Sequence, residues 1–122
     1  MDKIKILIID DDEKILKLIS SILDKDKFDV ATSQDAENIK DKIVSVKPNL
    51  ILLDIKLYGT SGIDAIKIIK SDAEINRIPV VAFTSYTMRG DKERFLNMGY
   101  DGYIPKPIDI HTFESEIMKY IK

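Results

Sequence analysis

Asn49-Leu50-Ile51-Leu52-Leu53-Asp54-Ile55 is the stretch whose reading decides the fold. Leu50 to Leu53 leave no polar face, so a strand built from them must be covered on both sides, as in the middle of a parallel sheet. The run ends on a carboxylate, and the glycine-containing stretch Tyr58-Gly59-Thr60-Ser61-Gly62 follows. An ionised group is costly to bury, which predicts that Asp54 emerges at the carboxyl edge of the sheet, where α/β folds bind ligands. A lone strand-end aspartate more often caps the next helix. That reading weakens here because two other strands also end in polar or acidic groups.

Outward from this strand, the chain alternates. Ile4 to Ile9 is apolar except for Lys5 and stops at Asp10-Asp11-Asp12-Glu13, which reads as a central strand and an acidic loop. Ile15, Leu16, Leu18, Ile19, Ile22 and Leu23 form one stripe of a first helix, with Lys14, Lys17, Ser20, Ser21 and Asp24 opposite. Phe28 to Thr32 is a weaker strand, placed nearer an edge. Ser33 or Asp35 is expected to cap a second helix with apolar positions Ala36, Ile39, Ile43, Val44 and Val46, closed by Pro48. A third helix carries Ile63, Ile66 and Ile69 and ends near Ser71-Asp72. A fourth strand runs from Pro79 to Phe83 and ends in Thr84-Ser85, with proline where a missing donor does least harm.

Met88 to Met98 reads as a poorly amphipathic helix, with Gly99 placed to end it in a left-handed conformation. Residues 101–105 form a short fifth strand, followed by Lys106-Pro107. Asp109 opens a last helix with Ile110, Phe113, Ile117 and Ile121 on its buried stripe. Strands alternating with helices five times predict an α/β domain, 1–122, with a doubly wound five-stranded parallel sheet and five helices.

Composition bounds the function. The 122 residues are 44% hydrophobic and 33% charged, with 21 acids against 19 bases and a formal charge of −2. No basic field marks a nucleic-acid binder. Zero cysteines exclude disulfides, thiolate metal sites and cysteine nucleophiles. The longest apolar run is far short of a membrane span, and Met1-Asp2-Lys3 leads straight into a strand. The expectation is a cytoplasmic protein.

The strand ends carry the chemistry. The first delivers Asp10 and Asp11, the third Asp54, the fourth Thr84 and the fifth Lys106. Loops after parallel strands gather at one edge, so three carboxylates, a hydroxyl and an ammonium would share a pocket. At ~4 Å like charges repel by roughly 4 kcal/mol at an effective dielectric of 20. Mg²⁺, a hard cation that prefers carboxylate oxygen, resolves that conflict, and Mn²⁺ can substitute. A site of this kind suits phosphoryl transfer to a carboxylate. Taken singly, Asp10 to Glu13 is an ordinary acidic helix start, Thr84 a strand residue and Lys106 a surface lysine. Their co-occurrence at successive strand ends is what points to a site.

Ile-Ile-Asp10-Asp11-Asp12, Leu-Leu-Asp54-Ile, Thr84-Ser85 and Lys106-Pro107, in this order and spacing, resemble the receiver domains of two-component response regulators across the whole chain. The run from Ile78 to Asp91 further resembles single-domain regulators of the cell-cycle type and hybrid-kinase receivers. The resemblance implies a flavodoxin-like sheet of order 2-1-3-4-5 and a cis Lys106–Pro107 bond. It implies Asp54 as phospho-acceptor, and Mg²⁺ held by Asp10, Asp11, Asp54 and the main-chain carbonyl of Lys56. Thr84 and Lys106 would bind phosphoryl oxygens. Thr84 and Tyr103 would act as the switch, moving the helix 4–strand 5–helix 5 face.

The implied partners are a sensor histidine kinase or histidine phosphotransfer protein and a downstream protein target. Neither nucleic acid nor membrane is expected as a partner, and the chain is expected as a monomer or weak dimer. One departure stands out: Tyr58 occupies the position, four residues after the acceptor, where the family usually has proline.

Three rivals meet specific objections. A phosphatase of the haloacid dehalogenase type needs a second aspartate two residues after its nucleophile, where Lys56 stands. A flavin carrier needs a hydroxyl- and glycine-rich phosphate loop where four acids stand instead. A pseudo-receiver, binding partners without phosphorylation, is disfavoured by the intact acids, Thr84 and Lys106, while Tyr58 keeps it open. The expectation is a signalling phospho-acceptor rather than an enzyme. If 122 residues is the natural length, no output domain is expected after the last helix, and output would be by docking to another protein. His111, the sole histidine, reads as a surface residue.

Overall fold

The computed structural model describes residues 3–55, 62–84 and 91–121. Ten elements alternate: β1 (Ile4–Ile9), α1 (Glu13–Ile22), β2 (Phe28–Ser33), α2 (Ile39–Val46), β3 (Leu50–Asp54), α3 (Gly62–Ser71), β4 (Val80–Thr84), α4 (Asp91–Met98), β5 (Gly102–Pro105) and α5 (Phe113–Met118). The strands form one parallel sheet of order β2-β1-β3-β4-β5. The chain starts at a central strand, moves outward to β2, then crosses β1 to the other half.

β3 occupies the middle, and every one of its residues is buried. The alternation that no polar face could reveal in the sequence appears in the packing. Leu7, Ile9, Ile51, Leu53, Val80 and Ala82 meet Ile39 and Ile43 of α2, Ala65, Ile66 and Ile69 of α3 and Phe95 of α4. Ile6, Ile8, Leu50, Leu52, Val81 and Phe83 meet Leu16 and Ile19 of α1 and Phe113 and Ile117 of α5. Two cores, one on each face, make the sheet continuous with both helix layers.

Several boundaries differ from the sequence expectation. α2 begins after Asn38, a left-handed residue whose side chain makes no cap bond, rather than at Ser33 or Asp35. Ser33 still belongs to β2, and Asp35 Oδ1 closes the turn ahead of the helix, accepting from Glu37 N–H at 3.0 Å and from Lys42 Nζ at 2.8 Å. At its other end α2 stops because Lys47 turns left-handed, one residue ahead of the buried Pro48. The last helix opens at Phe113, because Asp109 to Thr112 are spent on turns closed by Thr112 N–H and Phe113 N–H donating to Asp109 O.

Leu18, Val44 and Ile110 are exposed, off the buried stripes on which periodicity put them. The helices that carry Leu18 and Val44 touch only one face of the sheet, and the flanks of a wide apolar stripe remain in water. β4 starts at Val80 rather than Pro79, although the Pro79 carbonyl still accepts a 3.0 Å hydrogen bond from Ile51 N–H. Gly99, with φ of +111°, ends α4 in the positive-φ conformation expected of it. Of the Met88–Met98 expectation, Asp91–Met98 is helical; residues 88–90 lie outside the described residues.

Candidate functional site

The carboxyl edge of the sheet collects the strand-end residues. Asp10 follows β1 directly and is fully buried, Asp54 is the last residue of β3 at 5% exposure, and Thr84 ends β4 at 1%. One carboxylate oxygen from each of Asp10, Asp11 and Asp54 lies within 4.8 Å of the other two. Asp11 is exposed, so the trio opens to solvent on its side.

Local hydrogen bonds assign the four consecutive acids different work. Asp10 Oδ1 accepts from Asp12 N–H at 2.8 Å, turning the chain sharply out of β1. Asp12 Oδ1 in turn accepts from Lys14 N–H at 2.9 Å and caps α1. Glu13 pairs with Lys17 at 3.4 Å on the helix exterior, where an ion pair contributes little. The helix-start reading therefore holds for Asp12 and Glu13. Asp10 and Asp11 face the pocket group instead.

Lys106 closes the site from β5. Its backbone N–H donates to Thr84 O at 2.8 Å, extending the β4–β5 ladder one step past the strands. Its ammonium lies 2.6 Å from Asp10 Oδ2 and 3.5 Å from Asp54 Oδ2. Asp10 Oδ2 is buried and, among the described residues, accepts no well-aligned hydrogen bond. The ammonium compensates its charge without saturating its lone pairs. Three hard oxygens, one of them with unused acceptor capacity, fit a cation of the Mg²⁺ type. The Lys106–Pro107 peptide bond is cis, as the resemblance implies.

Tyr103 lies on the α4 side of β5, half-buried, with its ring centroid 5.8 Å from that of Phe95. Phe95 also meets Tyr100 edge-on at 6.2 Å, and the Arg94 guanidinium lies 5.3 Å over the Phe95 ring. Phe95 is thus core, and Met98 is packed partly against that core. Burial, reinforced by the charge of Asp54, pushes the Tyr100 phenol well above its ordinary range. His111 is exposed. Lys56, the expected main-chain ligand, and Tyr58, the family departure, lie outside the described residues.

Two residues escaped sequence reasoning. Tyr100 is fully packed between α4 and the sheet, and Phe83 lies with its ring 4.9 Å from the Lys106 ammonium. Phe83 carried no signal beyond strand periodicity, because its partner arrives from a strand twenty-odd residues later.

Residues 6–118 match the family model described as the response regulator receiver domain. The chain belongs to the response regulator receiver family. The receiver is 33% identical over 116 residues to the polar-differentiation response regulator DivK of Brucella anthropi, covering 95% of this chain and 94% of that protein. Among solved structures it resembles the BeF3-activated N-terminal receiver domain of RstA from Klebsiella pneumoniae. That likeness has a TM-score of 0.84 and 27% identity, over 95% of this chain and 97% of that one. The chemotaxis protein CheY4 of Vibrio cholerae shares the fold at a TM-score of 0.88 and 20% identity, over 98% of this chain and all of the other. Membership accords with the strand order, the acidic trio and the lysine. No helix among the described residues is long and apolar enough to cross a membrane.

Proposed function

We propose that the receiver accepts a phosphoryl group on Asp54 from a phosphohistidine on a sensor histidine kinase or histidine phosphotransfer protein. One observation carries this reading. Three carboxylates and one ammonium converge at the edge of a parallel sheet, with Asp10 and Asp54 almost wholly buried. So many buried charges are costly to maintain for packing alone.

In the proposed step an Asp54 carboxylate oxygen attacks phosphorus, the P–N bond of the donor breaks, and the departing imidazole takes up a proton. The product is an acyl phosphate on Asp54 and a neutral histidine on the donor. Mg²⁺, held by Asp10, Asp11 and Asp54, would neutralise negative charge on the phosphoryl oxygens. Lys106 already stands between Asp10 and Asp54 and supplies a positive charge to the same oxygens. Thr84, one residue beyond the register partner of Asp54, offers a hydroxyl.

The chain acts here as a phospho-acceptor rather than as an enzyme turning over a separate substrate. It would do so in the cytoplasm, and signal to a protein target through α4, β5 and α5. Added charge at Asp54 would draw Thr84 towards it, and Tyr103 would turn further inward into the space that opens. To reverse a 1:99 equilibrium, that change must favour the new state by about 5.5 kcal/mol.

The test is electrophoresis in a phosphate-retarding gel after incubation with acetyl phosphate and Mg²⁺. A shifted band is expected for the wild type and none for Asp54→Asn. A wild-type chain that stays unmodified with every donor would leave the pseudo-receiver, a phosphorylation-independent binding module, as the better reading.

A further inference from the structure

Lys106 has a third neighbour besides its carboxylates. Its ammonium lies 4.9 Å from the Phe83 ring centroid, inside the ~6 Å over which a ring face attracts a cation. Phe83 is fully buried on the α1/α5 side of the sheet. Its ring centroid is 6.3 Å from that of Phe113, tilted at 54°, so α5 braces the ring that the lysine lies over. The lysine side chain is only 16% exposed, and such contacts strengthen when water is excluded.

We propose that Phe83 is a positioning residue for Lys106, its ring face holding the ammonium within reach of the phosphoryl group bound at Asp54. The proposal rests on the reading of Asp54 as phospho-acceptor. The physical argument concerns competition. The oxygen nearest the ammonium, Asp10 Oδ2, belongs to a carboxylate of the acidic trio that suits a divalent cation. A carboxylate engaged by such a cation attracts the ammonium less, and two positive charges repel. The ring quadrupole is shared with no metal. It is an anchor whose strength does not change with the state of the acids. An aliphatic residue at position 83 would fill the same core volume and leave the ammonium to the carboxylates alone. Phe83 acts only through Lys106.

Two measurements test this. In the free protein, the Lys106 ε-methylene proton signals are expected upfield of those of the other lysines, because they lie over a ring. That displacement should vanish in both Phe83→Leu and Phe83→Met, the second variant serving if branching spoils the core. Signals at the ordinary position in the wild type, or unchanged in the variants, overturn the proposal whatever the fate of the phospho-acceptor reading.

The second measurement is beryllofluoride affinity in the presence of Mg²⁺, for the wild type, Phe83→Met, Lys106→Met and the double variant. With Mg²⁺ saturating, Phe83→Met is expected to weaken beryllofluoride binding about three- to tenfold. In the Lys106→Met background the same substitution should cost nothing further. Equal losses in both backgrounds would make Phe83 a packing residue and overturn the proposal. A wild type that shows the upfield signals yet binds no beryllofluoride would overturn the phospho-acceptor reading, and the functional half of this proposal with it.

Discussion

Lys106→Met keeps most of the apolar stem and removes the charge, so it isolates what the ammonium does for the buried acids. In the wild type that ammonium lies 2.6 Å from Asp10 Oδ2 and 3.5 Å from Asp54 Oδ2, and neither aspartate side chain is more than 8% exposed. A unit pair at ~4 Å gains about 4 kcal/mol at an effective dielectric of 20. Deleting one partner of a buried pair costs roughly 3–5 kcal/mol, because the other charge is stranded. The pocket opens to water past Asp11, which lowers the expected loss to about 2–4 kcal/mol in metal-free buffer. That is a large part of the ~5–15 kcal/mol that holds a domain together.

The sign reverses for metal. In the wild type the ammonium competes with a divalent cation for the same oxygens, so the methionine variant should bind Mg²⁺ about tenfold more tightly, a gain of roughly 1.4 kcal/mol. The assay is urea unfolding followed by circular dichroism, with and without Mg²⁺, together with a Mg²⁺ titration of the folded chain. The expected pattern is a large loss without metal and a greater recovery on adding it than the wild type shows. A variant as stable as the wild type in metal-free buffer, with Mg²⁺ affinity unchanged or lowered, would falsify the account of Lys106 as the counter-charge of the acids.

Three further outcomes follow from contacts elsewhere. Asp101 Oδ2 accepts from Val80 N–H at 2.8 Å and from Lys70 Nζ at 3.1 Å, joining the strand starts to α3. Asp101→Ala should cost about 1–3 kcal/mol in urea unfolding, chiefly by orphaning the Val80 donor, while Asp101→Asn, which keeps an acceptor, should lose clearly less. At Gly102 any Cβ would collide with the ring and hydroxyl of Tyr120. Gly102→Ala should therefore expel that half-buried ring at a cost of about 1–2 kcal/mol, and Tyr120→Ala should add little in the Gly102→Ala background. Tyr100 has a phenol whose pKa is raised by burial and by Asp54, so folding favours its neutral form. That stability is present below the ordinary phenol value of about 10 and is lost as pH rises above it, by up to about 1.4 kcal/mol per unit. Tyr100→Phe should flatten this alkaline decline, measured as the urea midpoint against pH; an unchanged slope would refute it.

The acids show how much of the site was legible. Asp10, Asp11, Asp54, Thr84 and Lys106 were readable because each ends or follows an apolar run, and parallel topology sends all such ends to one edge. The division of labour within Asp10 to Glu13 was not readable. Four adjacent carboxylates look alike in sequence, and only the turn that directs Asp12 onto Lys14 N–H separates the cap from the pocket pair. Ser33 and Asp35 misled for a related reason: their capping chemistry is spent on the turn ahead of α2, where Asp35 Oδ1 accepts from Glu37 N–H and Ser33 Oγ donates to Asp35 O, and Lys42 adds its ammonium to both side chains.

The order and parallel arrangement of elements, and the kind of chemistry gathered at their ends, were properties of the sequence. They depend on local hydrophobic runs, whose period and length are written residue by residue. Which charge answers which, and what lies beneath the lysine, belonged to the tertiary structure. Asp10 lies closer to Lys106 than Asp54 does, and Phe83 supplies the ring face beside the ammonium. Those pairings join side chains from β1, β3, β4 and the end of β5. Sheet register and the packing of α5 set their distances, and neither quantity resides in any one segment of the chain.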